Sequence, residues 1–360
     1  MSPRFDDPDI HPITTLAGVF EHPRPLDRLA HARRAGETLR GELLAGRAAS
    51  YYASFDLVRV PYPTRYGLRD ATWVPTPYLH ILNRMFVVQF QGAERTRTLL
   101  VSPSDHPRNR ETPFFKRLGD RFAWLGERFE ALIAPPLDTV EQALASAGLT
   151  PTQVDFITYD HLHTQDVRRW LGDGIDPGVF PNAKLLVTHT EWVSAQGLLP
   201  TQRDWYCPGG IDGIPSDRVI TFDGDIRLGE SVALVSTPGH TRGNHSIAVH
   251  TPEGVLVTSE NGICADAWAP AHSRIPGLRK RARQVGVEVV MNANTLEGSV
   301  DQYVSMVLEK HLAGPSPRDP DFYNVVPSSE MASYWMFPGL RPTFGFGPLS
   351  FGAPKGEGER

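Results

Sequence analysis

Three histidines and the carboxylates beside them are the residues of this chain whose types and spacing can do chemistry. His161 and His163 stand one residue apart in Tyr159-Asp160-His161-Leu162-His163-Thr164-Gln165-Asp166, and His240 lies in Thr237-Pro238-Gly239-His240-Thr241. On an extended segment residues i and i+2 point the same way, so both rings can meet one ion, at about 2.0–2.1 Å per nitrogen for zinc. Neutral imidazole and carboxylate together suit zinc or iron. Asp166 falls on the turn that follows the pair. A lone His-x-His on a loop is ordinarily a pair of surface rings, so the case depends on what surrounds it.

The elements that must position these residues are legible from periodicity. Residues 28–44, rich in Ala, Leu, Arg and Glu, read as a helix. Residues 57–60 alternate, 78–91 are β-prone and 98–101 form a short apolar run, so the chain opens antiparallel. Thr112, with Pro113 after it, is the expected cap of one helix over 113–133. Asp138 with Glu141 predicts the next helix, closed by Gly148. The strand predicted at 154–158 ends where His-x-His begins, the place where α/β folds put their chemistry. Further strands are predicted at 184–187, 219–222, 231–236, 245–250 and 255–258, with a helix over 191–196. Val287-Glu288-Val289-Val290 interrupts a helical stretch from 278. Residues 300–312 read as an amphipathic helix with Val300, Tyr303, Val304, Val307, Leu308 and Leu312 on one stripe, and Asp301, Gln302, Glu309 and Lys310 opposite.

Composition bounds the partners. With 360 residues, 40% hydrophobic and 21% charged, the chain can bury one large core or two smaller ones. The net charge of -5 arises from interspersed signs and gives no surface for nucleic acid; Arg279-Lys280-Arg281 and Arg283 read as a solvated helix face. Cys207 and Cys264 are the only cysteines, so a disulfide framework and a cysteine zinc knuckle are not expected. The acidic start, Met1-Ser2-Pro3-Arg4-Phe5-Asp6-Asp7, does not resemble a secretory signal, and no apolar run approaches the roughly 18 residues of a membrane helix. A cytoplasmic location follows by default. The expected partners are a small-molecule substrate and at most a second copy in a homodimer, with no nucleic acid and no membrane.

Over residues 57–330 the chain resembles the metallo-β-lactamase superfamily. The match is carried by the strand into His-x-His, Phe180-Pro181-Asn182-Ala183 with Glu191, Asp223-Gly224-Asp225, Thr237-Pro238-Gly239-His240-Thr241-Arg242-Gly243 and residues 255–262, in that order. The resemblance implies an α/β fold, the αββα four-layer sandwich of the metallo-β-lactamase type, over residues 51–336. Residues 1–50 would be a helical extension, and 337–360 a Gly/Pro/Phe-rich tail, either an ordered wrap or a mobile lid. It also implies a metal site, from which this chain departs. Gln165 stands where the family has an Asp and Asp166 where it has a His; Glu260 replaces a bridging Asp, and Ser329 the last His. Three imidazoles, His161, His163 and His240, remain for a first zinc site. Asp166, Glu260 and Glu330 are the oxygen donors left for a second, which would suit iron or manganese. One or two ions are thus open.

The chemistry so implied is metal-dependent hydrolysis of a small ester, lactone or thioester by a metal-bound hydroxide, with Asp166 and Glu260 as the catalytic carboxylates. Two other readings stand beside it: a carboxylate-bridged di-iron oxidative enzyme on the same fold, and a degenerate, non-catalytic binding member. Asp160 could support the first ring, His245 reads as structural, and His189 is not expected as a ligand. Trp170, Trp192, Trp205 and Trp268 are pocket or core residues; Tyr206 and Arg242 are candidates for touching substrate. Gly-x-Ser-x-Gly, phosphate-loop and dinucleotide motifs are absent, which excludes serine hydrolysis and nucleotide chemistry.

Overall fold

Alternation along the strands decides the layers. The computed structural model describes residues 5–121, 123–293, 298–336 and 339–356. Its strands are β1 (Ile10–Ile13), β2 (Tyr51–Pro63), β3 (Tyr78–Gln91), β4 (Thr96–Val101), β5 (Phe156–Thr158), β6 (Lys184–Thr188), β7 (Val219–Phe222), β8 (Asp225–Leu228), β9 (Val232–Ser236), β10 (His245–Thr251), β11 (Gly254–Ser259), β12 (Val325–Pro327), β13 (Ser329–Ala332) and β14 (Ser350–Gly352). One sheet has the order β1-β8-β9-β10-β11-β12, antiparallel except at β11–β12. The other runs β14-β2-β3-β4-β5-β6-β7, with β13 on the free part of β3; it is antiparallel up to β4 and parallel from β4 to β7.

Phe86, Val88, Phe90, Leu99 and Val101 from one sheet meet Val232, Leu234, Ile247, Val249 and Leu256 from the other, which is the core between the sheets. Their neighbours face outward. Met85, Val87 and Leu100 pack under Val140, Ala143 and Trp170, whereas Ala233, Val235, Ala248 and Val257 pack under Leu39, Leu43, Met306 and Val307. Helix, sheet, sheet, helix is therefore the order of layers, the αββα arrangement that the resemblance implies. Each fully buried Val, Leu or Phe contributes about 1.5–3 kcal/mol over leaving it exposed.

The first fifty residues enter this sandwich directly: β1 joins the six-stranded sheet, and the helix Pro25–Ala45 buries Ala32, Leu39 and Leu43 against it. At the other end β14 pairs with β2, and Phe346 and Leu349 join the inter-sheet core. Residues 337, 338 and 357–360 of the tail, like residues 1–4, lie outside the described residues.

Local readings are corrected at three places. The single helix expected over 113–133 is broken into Pro113–Asp120, a short turn and Glu127–Ile133, with Gly126 at φ +84°, and the Thr112 side chain caps nothing. The next helix is capped by Thr139 with Gln142, one residue on from the Asp138 pattern. The helix Ser299–Ala313 buries polar residues as well: Gln302 donates to the Asn261 carbonyl and Asn292 Oδ1, Glu309 accepts from Ser246, Ser259, Asn261 and Trp268, and Lys310 pairs with Glu288. Among the described residues Val287-Glu288-Val289-Val290 forms no strand. The cationic helix Leu278–Val285 exposes Arg279, Lys280, Arg281 and Arg283. No helix among the described residues is long and apolar enough to cross a membrane.

Candidate metal centre

Both sheets deliver histidines to one edge of the sandwich. His161 and His163 follow β5, in the eight-stranded sheet; His240 sits in the turn between β9 and β10, in the six-stranded one. The His245 amide donates to the Asp160 carbonyl at 2.9 Å, which fastens one loop to the other. The turn needs Gly239, whose φ is +138° and where a Cβ would stand 2.3 Å from the Gln302 backbone. Thr164, just after His163, holds the left-handed conformation at φ +65°, rare for a β-branched residue, and its amide donates to the Trp205 carbonyl at 2.7 Å.

The three rings converge, buried, with ligand nitrogens within 4.8 Å of one another. His161 Nε2 and His240 Nε2 are 3.1 Å apart. His161 Nδ1 donates to Asp160 Oδ1 at 3.0 Å. His240 Nδ1 is 3.0 Å from Asn292 Oδ1, which also accepts the Gln302 amide at 2.9 Å while the Asn292 amide donates to the Glu260 carbonyl. Asn292 therefore presents its oxygen, so His240 carries its hydrogen on Nδ1. Each ring thus turns an Nε2 lone pair toward the other. Two lone pairs cannot face each other at this distance, so a proton or a cation must lie between them. A shared proton would leave the buried Nδ1 of His163, which has no protein partner among the described residues, still unsatisfied. A cation can serve all three rings. The chemistry of the donor set fits a metal ion, and Asp160 and Asn292 would orient two of the rings toward it.

Burial, then the neighbouring rings, push His163 well below the ordinary imidazole value and His240 down to about 3, so both rings are held neutral. Burial opposes charge on His161 as well, but Asp160 outweighs it and raises that ring.

One buried carboxylate joins the two ligand loops. Glu191 Oε1 accepts the Leu162 amide and the Tyr206 hydroxyl, each at 2.9 Å, and Oε2 accepts the Thr241 hydroxyl at 2.6 Å. The helix His189–Gln196 begins on the Thr188 cap, and Gly243 is small because a Cβ there would meet the Glu191 amide at 2.3 Å.

The carboxylates expected at a second ion are placed otherwise. Asp166 is not among the converging ligand atoms: Arg168 binds both its oxygens, one at 2.9 Å, and Arg108 approaches to 3.8 Å. Its expected roles as ligand and catalytic base are corrected on that account, since its oxygens are already spent. Glu330 pairs with Arg84 at 2.6 Å and accepts the Phe346 amide at 2.9 Å. Gln165 offers no charge. Glu260 is also outside the group of three ligand atoms, but it lines the cavity beside them. Ser328, where the chain crosses from β12 to β13, lies 2.5 Å from Asp160 Oδ2 and 2.9 Å from Glu260 Oε2. A hydroxyl has one hydrogen, so one carboxyl must bring its own. Burial, then the charge of Asp160, raise Glu260, which makes it the protonated partner.

His161 and His163 open on a cavity of about 540 Å³. Val58, Val60, Ile81, Phe115, Leu118 and Ile133 supply apolar walls, and Trp205, Gln165 and Glu260 line the cavity together with His161 and His163. Trp170 and Trp268 are core, Trp192 packs beside the core, His189 and Arg242 are exposed, Tyr206 is committed to Glu191, and His245 meets Thr158 Oγ1 at 3.0 Å. Asn292 and Ser328 escaped sequence reasoning, because each meets its partner across more than fifty residues and carries no local pattern.

No protein-family model matches this sequence, and no curated protein matches it. Among solved structures, the chain is similar to a quorum-quenching N-acyl homoserine lactone lactonase (16% identical, covering 67% of this chain and 88% of that one, TM-score 0.45). It is similar also to a dizinc quorum-quenching lactonase in complex with a product (13%, 86% and 96%, TM-score 0.49) and to a probable metal-dependent hydrolase from Staphylococcus aureus (12%, 74% and 84%, TM-score 0.48). Likeness of this degree does not decide chemistry.

Proposed function

We propose that this chain is a metal-dependent hydrolase of the metallo-β-lactamase type, acting with one ion on a small ester, lactone or thioester that has an apolar side. The observation that carries the reading is the pair of facing Nε2 atoms of His161 and His240 at 3.1 Å, with the buried Nδ1 of His163 beside them. A divalent ion at this place supplies Lewis acidity and a water of lowered pKa. Zinc suits an all-imidazole set, and three protein ligands leave a position open.

The chain's own residues do the rest. Val58, Val60, Ile81 and Phe115 receive the apolar part of the substrate and exclude water. Asp160 and Asn292 keep two rings in the binding tautomer. Glu260 holds a proton on Ser328 at the cavity wall, from which it can pass to the leaving oxygen or sulfur as the acyl bond breaks. The di-iron reading lacks support, because Asp166 and Glu330 spend their oxygens on arginines. The convergence of three buried rings is equally poor support for a degenerate site.

The test is elemental analysis of protein grown with zinc, joined to hydrolysis of p-nitrophenyl hexanoate. One zinc per chain, with hydrolysis lost on chelation and regained with zinc, is expected. Metal-free protein with unchanged thermal stability after added zinc would overturn the reading.

A further inference from the structure

We propose that Gln165 is the donor that holds the substrate's carbonyl oxygen, doing with an amide what a second cation would do with charge; this deepens the hydrolase reading and rests on it. The orientation of the amide follows from a chain of hydrogen bonds. The Asp166 amide donates to Asn109 Oδ1 at 3.1 Å, so the other end of Asn109 is its NH₂ group. That group donates to Gln165 at 3.1 Å, which makes the accepting atom Oε1, and Ser104 Oγ donates to the same oxygen at 3.0 Å. Both lone pairs of Oε1 are thereby filled.

The NH₂ end of Gln165 is left to the cavity. Its contact with Thr164 Oγ1 is 3.5 Å, the outer limit of a hydrogen bond. Gln165, two residues after His163, lines the same cavity as His161, His163 and Glu260. An amide so locked can only donate, and the groups it faces in an ester, lactone or thioester, or in the carboxylate product, are acceptors. The oxygen of the reacting carbonyl becomes more negative as the acyl bond is attacked, so a fixed donor here favours the reaction as well as binding.

Two variants separate this role from bracing. Gln165→Glu keeps an oxygen for Ser104 and Asn109 but replaces the donor with an acceptor; Gln165→Met removes both ends without adding charge. The probe is decanoate, a product-like carboxylate, titrated calorimetrically into the zinc-loaded protein, with zinc content and melting temperature measured alongside. Both variants are expected to weaken decanoate by about tenfold or more, with zinc unchanged and the melting temperature of Gln165→Glu held. Wild-type decanoate affinity in either variant would overturn the proposal. Zinc absent from the wild type would instead overturn the hydrolase reading, and Gln165-dependent decanoate binding in that protein would still uphold the donor.

Discussion

Glu191 and Thr241 are joined by a 2.6 Å hydrogen bond inside the protein, and through it the turn carrying His240 is tied to the loop carrying His161 and His163. Ligands from two different sheets need such a clasp, because each loop alone has no reason to hold its ring at a shared point. Glu191→Ala should weaken zinc by about 10–100-fold, as loss of a ligand-orienting partner does. Competition against a fluorescent zinc chelator measures this; an unchanged affinity would show that the loops are held without it.

The ligand assignment separates three histidines from the position where the family's last histidine would stand. His161→Ala and His240→Ala should each lose zinc on dialysis, whereas Ser329→Ala should retain it. Equal retention in all three, read by elemental analysis, would remove the centre as described.

Glu260→Gln keeps a hydrogen-bonding side chain next to Ser328 and removes the proton. Its kcat for p-nitrophenyl hexanoate should fall by about 10²–10⁴-fold with zinc content preserved. Loss of zinc in this variant would make Glu260 a ligand rather than an acid.

Gly239→Ala asks for a methyl group 2.3 Å from the Gln302 backbone, at a φ of +138°. The cost should be about 2–4 kcal/mol, seen as a lower urea midpoint, with zinc affinity falling too because His240 is the next residue.

A pH effect is expected away from the three rings. Asp225 accepts the Ser236 amide at 2.7 Å, yet burial lifts its carboxyl to about 7. In the unfolded chain it would titrate near 3.8. Between those values the folded state keeps a proton that the unfolded state releases, so this contribution is complete below about pH 4 and is lost as pH rises through about 7. Asp225→Asn keeps the accepting oxygen and should nearly match the parent at pH 4 while exceeding it at pH 8, by up to about 4 kcal/mol. Urea melts at the two pH values decide it.

The sequence made the site legible where the signal was local. Two rings at spacing two after a strand, and one in a Pro-Gly turn, declare themselves through geometry that any extended segment or tight turn obeys. Asp166 shows the limit of that logic: its type suits a ligand, but Arg168 two residues on and Arg108 from another helix claim it. The strands of both sheets were legible as β-prone runs bounded by Gly, Pro or Asp, whereas their stacking into layers came only with the resemblance. The burial of Gln302, Glu309 and Lys310 was not legible, because each polar side chain finds its partners only across the fold. Glu309 is satisfied there by Ser246, Ser259, Asn261 and Trp268, partners from three other elements.

The short strand β14 has a consequence for solubility. β2 runs thirteen residues, and its start would leave a bare row of amides and carbonyls able to recruit another chain. Ser350–Gly352 covers Tyr51–Ala53 and, at three residues, is too brief to template a further strand. A fragment ending before residue 340 would uncover that template, and aggregation would then overtake the fold well before any ligand was disturbed.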